Sequence, residues 1–172
     1  MSLSPQDRFK ERLVQFIDFT KGMVVEANEA GIETPVSPFI LDLSKNFIGK
    51  EDSDKIITTF ILRSFENWER IRNHDLEFMK GEGLKSFYGI PEKNLKDFTA
   101  LFDVVKPDGT RLLSPSVEVQ LWDFFESLVR NSVCYVHCQR KPDPETKKYT
   151  ANFFPAMKVK AQVELWKITK LE

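Results

Sequence analysis

Two cysteines and two histidines in 172 residues leave this sequence poor in thiols and imidazoles, the commonest metal ligands and nucleophiles. No second cysteine pair accompanies Cys134 and Cys138. The two sit one helical turn apart, which reads as reduced thiols in an intracellular protein rather than a disulfide framework. The sequence lacks a Glu-x-x-His motif, so the repeated pair that marks a di-iron bundle is missing. It lacks an apolar run near the ~20 residues needed to span a bilayer. No basic start, apolar stretch and small-residue cleavage site signals secretion. Charge of one sign is also missing. The formal net charge of −1 argues against nucleic-acid binding by the whole surface. Alanine is scarce, six residues against fifteen phenylalanines.

What is present fits one domain. Hydrophobic residues make up 41% and charged residues 30%, enough to bury a core and keep a polar surface. Phenylalanine fills volume, so few helices enclose a large core. Lysine outnumbers arginine seventeen to eight. That bias accompanies AT-rich coding, and a virus-encoded structural or host-interaction protein is one setting that suits it.

The organising stretch is residues 114–141. Ser114-Pro115 is a helix start, because serine caps free N–H groups and proline fits the first turn. Leu121, Phe125, Leu128, Ser132 and Val136 follow helical spacing, and Trp122, Phe124, Val129, Val133, Cys134 and Tyr135 make most of the remaining surface apolar. A helix apolar on nearly every side belongs inside a bundle. Pro142 and Pro144 end it.

Around it the periodicity predicts a helix over 5–30, opened by Ser4-Pro5-Gln6-Asp7 and closed by Gly31, with Thr20 the polar member of its apolar stripe. A short helix over 38–47 follows, closed by Gly49. A long pattern over 55–80 turns polar after Trp68, with a bend expected near Asn73. A short helix from Pro91 to Phe102 precedes Pro107-Asp108-Gly109, a turn in a small hairpin near 104–113. Residues 156–168 fit a helix or a strand, and helix is preferred because a lone strand lacks a partner. The expected fold is mainly α: a single-domain bundle of five to six helices around a central apolar helix at about 115–139.

Four constellations invite chemistry. Cys134, His137 and Cys138 share one helix face at three- and four-residue spacing, and His74 on another helix completes a set of four candidate zinc ligands. The ordinary reading is packed thiols, because buried cysteine behaves as a small apolar residue. Cys134 with His137 also resembles a nucleophile–base pair, but such pairs usually come from different elements, and no oxyanion hole is recognisable. His74, Asp75 and Glu77, with Glu66, Glu69 and Arg70, read as a solvated face with local ion pairs. Gly81 and Gly83 fail the phosphate-loop pattern, which needs a strand before the glycines and Gly-Lys-Ser/Thr after them.

Asn67-Trp68-Glu69-Arg70-Ile71 resembles the Asn-Trp-Gly-Arg-Ile groove motif of the Bcl-type apoptosis regulators, which also wrap amphipathic helices around an apolar one. Glu69 stands where that motif has the glycine that admits a partner helix. The likeness spans five residues, and no function is carried over from it.

From residue 139 onward there are eight Lys/Arg and four Asp/Glu, giving +4 against −5 for the rest. Lys147 and Lys148 lie there beside Tyr149, Phe153, Phe154 and Trp166. Exposed aromatics of this kind are good protein-interface anchors. The expected function is therefore a non-enzymatic interaction or scaffold protein, with a protein partner or self-association, no catalytic residues and no cofactor. The alternative is a nucleic-acid-associated factor using the basic, aromatic C-terminal third.

Overall fold

A computed structural model describes residues 3–86 and 92–138, together with Gln162, Leu165 and Trp166. Among them are seven α-helices, several joined through 3-10 turns. The mainly α bundle expected from the sequence is the observed architecture.

Helix α1 (Pro5–Glu29) starts as its sequence requires. Ser4 Oγ accepts from the Asp7 N–H at 3.2 Å, and Pro5 occupies the first turn. Phe9, Leu13, Ile17, Thr20, Val24 and Ala27 form the buried stripe, and Phe16, Phe19 and Met23 border it half-buried. The Thr20 hydroxyl donates to the Phe16 carbonyl four residues back, which lets this one polar group lie in the core. Gly31 takes φ +82°, beyond the helix end.

Helix α2 (Pro38–Lys50) is capped by Ser37, whose Oγ accepts from the Ile40 N–H. It runs through Gly49, one turn past the expected stop at Phe47. Lys10 explains the extension: its Nζ donates to the Gly49 and Glu51 carbonyls at 3.0 and 2.8 Å, satisfying acceptors that a helix end leaves open. Leu41, Ser44 and Ile48 face inward.

The long pattern over 55–80 divides into α3 (Ser53–Ser64), α4 (Trp68–Arg72) and α5 (Leu76–Gly81). The first break follows Ser64, whose buried hydroxyl donates to the Phe60 carbonyl and accepts from Trp68 Nε1 at 2.9 Å. Back-bonding of this kind bends helices. The second break lies at Asn73 and His74, where the expected bend falls. His74 adopts φ +54°, a left-handed conformation that ends α4, and Asp75 then caps α5 by accepting from the Phe78 N–H. A 3-10 turn, Gly83–Ser86, follows. A side chain at Gly83 would come within 2.8 Å of the buried Met79 sulfur, so this glycine serves close packing rather than phosphate binding.

Helix α6 (Glu92–Ala100) passes into a 3-10 turn, Leu101–Asp103. The expected hairpin is smaller than a ladder. Val105 and Arg111 form one isolated antiparallel bridge around a turn in which Gly109 takes φ +86°. Helix α7 (Pro115–Cys138) is the predicted core helix. Its last turns are enclosed on every side, with Ser132, Val133, Cys134, Tyr135 and Val136 all buried. Its first half keeps an exposed stripe of Ser116, Val119, Gln120 and Asp123.

Helix α1 shares the centre with α7: it packs against α2, α3 and α7, and α7 also meets α4. Phe9 meets Phe60 with ring centroids 5.1 Å apart, and Phe16 meets Phe125 edge-on at 5.5 Å. Each large side chain buried this way contributes about 1.5–3 kcal/mol. The buried residues form one contiguous cluster that also includes Trp166. Gln162 and Leu165 are helical, and the Trp166 N–H donates to the Gln162 carbonyl at 3.0 Å, so the helical reading holds at these residues. No helix among the described residues is long and apolar enough to cross a membrane.

Candidate functional site

The structure does not gather the four candidate zinc ligands. Cys134 is a thiol packed in the core, 7% exposed, near the end of α7. His137 lies one turn further on, and the side chain of Cys138 is outside the described residues. His74 points to the other half of the same helix. Its imidazole Nε2–H donates to Glu126 Oε1 at 2.7 Å, and the ring stacks on Trp122 with centroids 4.9 Å apart and planes 4° from parallel. Glu126 precedes Cys134 by eight residues, about 12 Å of helix. His74 is thus used to hold its own strained corner against α7. Among the described residues no group of three or more His, Cys, Asp or Glu is placed to hold a metal ion.

The polar face after Trp68 also resolves into structural contacts. Glu69 and Arg70 are exposed, while Trp68 and Ile71 of the same motif are buried. Arg70 lies over the Phe78 ring at 5.7 Å. Asp75 is occupied as a cap.

The expected interface anchors need one correction. Trp166 is 5% exposed and belongs to the core, with its indole N–H donating to Gln162 Oε1 at 3.1 Å. An indole seated in the core and paired within its own chain does not present a contact surface. Tyr149, Phe153, Phe154, Lys147 and Lys148 lie outside the described residues.

Among the described residues, the exposed aromatics lie on a different element. On α2, Phe39, Leu43 and Phe47 are 66%, 49% and 47% exposed. Four-residue spacing puts them in one row on the face away from the core. Asp42 and Lys45, two of the three charges of α2, are drawn off this row toward α1, while Lys50 lies exposed at the helix end. Lys21 Nζ pairs with Asp42 Oδ1, and Lys45 Nζ with Asp18 Oδ1, each at 2.8 Å. What remains is an apolar ridge, roughly 300 Å² of side-chain surface when these exposures are applied to the ~150–250 Å² of a large side chain. That is the scale of the largest apolar patch on a typical protein, and such patches are often functional. The sequence already held this signal. Within thirteen residues α2 has one apolar row at 41 and 48 and a second at 39, 43 and 47, more than one buried face uses.

Compared with known proteins, the chain matches no family model, no curated protein and no solved structure.

Proposed function

We propose that this protein is a non-enzymatic assembly component that associates with a second copy of itself through α2. The observation that carries this reading is the symmetry of the ridge. Phe39 and Phe47 lie four residues to either side of Leu43. A two-fold axis through Leu43, with the two α2 helices antiparallel, sets Phe39 of each copy against Phe47 of its partner. It also sets Leu43 against itself. A two-fold interface must be self-complementary, and this spacing is. Antiparallel helices also bring each positive N-terminal end beside a negative C-terminal end.

The row of exposed Phe and Leu suits such a contact because none of its three side chains carries a charge. Asp42 and Lys45 are engaged with α1. The ridge is small beside the ~800 Å² per partner of a standard interface, so the pairing is weak and reversible, in the micromolar range.

The test is oxidation of a Leu43→Cys variant. Two cysteines on the axis come within disulfide reach and yield a covalent dimer on a non-reducing gel. The unaltered chain and a Val119→Cys variant, altered on the exposed stripe of α7, serve as controls and form no covalent dimer on the gel. Failure of Leu43→Cys to cross-link, or equal cross-linking of Val119→Cys, overturns the reading.

A further inference from the structure

A groove of about 500 Å³ runs along the first half of α7, beside the corner at His74. Ligand sites take ~300–1,000 Å³, so it has the size of one. Its walls include His74 and Leu76 from the corner between α4 and α5, and Pro115, Glu118, Val119 and Trp122 from α7. Three features meet there. The first is a ring platform. Trp122 is buried, and His74, whose side chain is 49% exposed, stacks flat on it. The indole covers one imidazole face and leaves the other to the groove. The second is charge. Glu118 and Glu126 stand one helical turn to either side of Trp122, ~6 Å along the axis. Glu126 is taken by His74, and the nearby Asp123 by Arg12. Glu118 is half-buried, and its carboxylate has no hydrogen-bond or ion-pair partner among the described residues. The third is an apolar wall of Leu76, Pro115 and Val119, with Val119 70% exposed.

From this we infer that the groove receives an arginine side chain from a peptide segment of a partner protein. The platform decides the shape of the ligand's head, because a guanidinium is planar and stacks on ring faces, while an ammonium is a compact point charge. Glu118 decides its sign: the carboxylate accepts N–H bonds from the guanidinium edge while the guanidinium face rests on His74. The apolar wall suits the stem, because arginine lays its methylenes along apolar surface and keeps its charged end free. The continuation of the groove decides that the ligand is a peptide and not a polycation. Past Pro115 and Glu118, which line both parts, lies a second hollow of about 440 Å³ bounded by Thr110, Arg111 and Ser114. Arg111 has no ion-pair partner among the described residues, so this end repels a second cation and suits backbone carbonyls or an acidic residue. The groove does not involve α2, and the inference does not rest on the pairing of α2.

The test is fluorescence-anisotropy titration of the full chain against three labelled short peptides, alongside NMR of the arginine complex. The peptides are identical in an Ala/Gly/Ser background except for a central arginine, lysine or citrulline. The arginine peptide is expected to bind saturably with Kd below about 1 mM. Lysine keeps the charge and loses the plane, citrulline keeps the plane and loses the charge, and each is expected to bind about 10-fold more weakly. Glu118→Gln keeps the shape of the groove and is expected to weaken the arginine peptide about 10-fold, the size of a charge-assisted hydrogen bond. The NMR shifts are expected at the Leu76 and Val119 methyls and the Trp122 indole. The peptide comparison uses the unaltered protein, so it decides the matter even where Glu118→Gln is destabilised. No saturable binding, equal binding of the three peptides, undiminished binding by a folded Glu118→Gln, or shifts that miss Leu76, Val119 and Trp122 each overturns the inference.

Discussion

Tyr135 near the end of α7 donates its hydroxyl to Asp54 Oδ1 at 3.0 Å, linking the enclosed core helix to the first turn of α3 across 81 residues of sequence. The ring is buried and only the hydroxyl reaches the exposed carboxylate. Tyr135→Phe keeps the packing and removes the bond. It is expected to lower stability by about 1 kcal/mol, because exposed Asp54 regains water when the bond is lost. Urea unfolding checks this, and Asp54→Asn in the Tyr135→Phe background is expected to add less than it does alone.

Ser64 and Trp68 have a less forgiving relationship. The indole N–H depends on Ser64 Oγ, and both side chains are buried. Ser64→Ala orphans that N–H in the core and is expected to cost roughly 1–3 kcal/mol, with the larger part due to the unmet donor. The same change frees the Phe60 carbonyl and removes a cause of the break between α3 and α4. Denaturant unfolding reads the cost, and amide exchange over residues 60–72 reads the local opening. A loss as small as that of an exposed Ser→Ala change would contradict this assignment.

Asp7 gives the fold a defined acid response. Its carboxylate accepts from Ser53 Oγ at 2.8 Å and Ser4 Oγ at 2.9 Å, joining the start of α1 to the start of α3. The bond from Ser53, then that from Ser4, holds its pKa below the ordinary 3.8. A carboxylate depressed in the folded state stabilises it above the unfolded pKa. That contribution is lost as pH falls through the lower folded value. Thermal unfolding of the native protein and Asp7→Asn is therefore expected to differ at neutral pH and to converge below about pH 3.8. A gap between the two that is constant down to pH 2 would show that the carboxylate's charge is not what stabilises this junction.

Much of the fold was legible because local signals agreed. Ser4-Pro5, Ser37-Pro38 and Ser114-Pro115 each announce a helix, and each caps one. The helical spacing of Phe9, Leu13 and Ile17 gave the buried face of α1. The division of residues 55–80 was legible only in part. The change in polarity after Trp68 pointed to Asn73, but the break after Ser64 depends on a tertiary choice, a serine bonding back to Phe60 while holding Trp68. The extension of α2 through Gly49 likewise needs Lys10 from another helix. The candidate site was less legible. Large aromatics amid basic residues made Trp166 look exposed, yet its own chain covers it. The row at 39, 43 and 47 is not legible as exposed from sequence, because α2 has apolar residues on two sides and periodicity alone does not say which side the core takes.

We propose above that α2 pairs with α2 of a second copy. Sedimentation velocity of the unaltered protein and Leu43→Glu, over about 1 to 100 µM, tests it most directly. The unaltered chain is expected to shift from monomer toward dimer with concentration. Leu43→Glu, with two like charges facing each other on the axis, stays monomeric and equally folded by circular dichroism. A chain that remains monomeric throughout, or a dimer indifferent to Leu43→Glu, would contradict it.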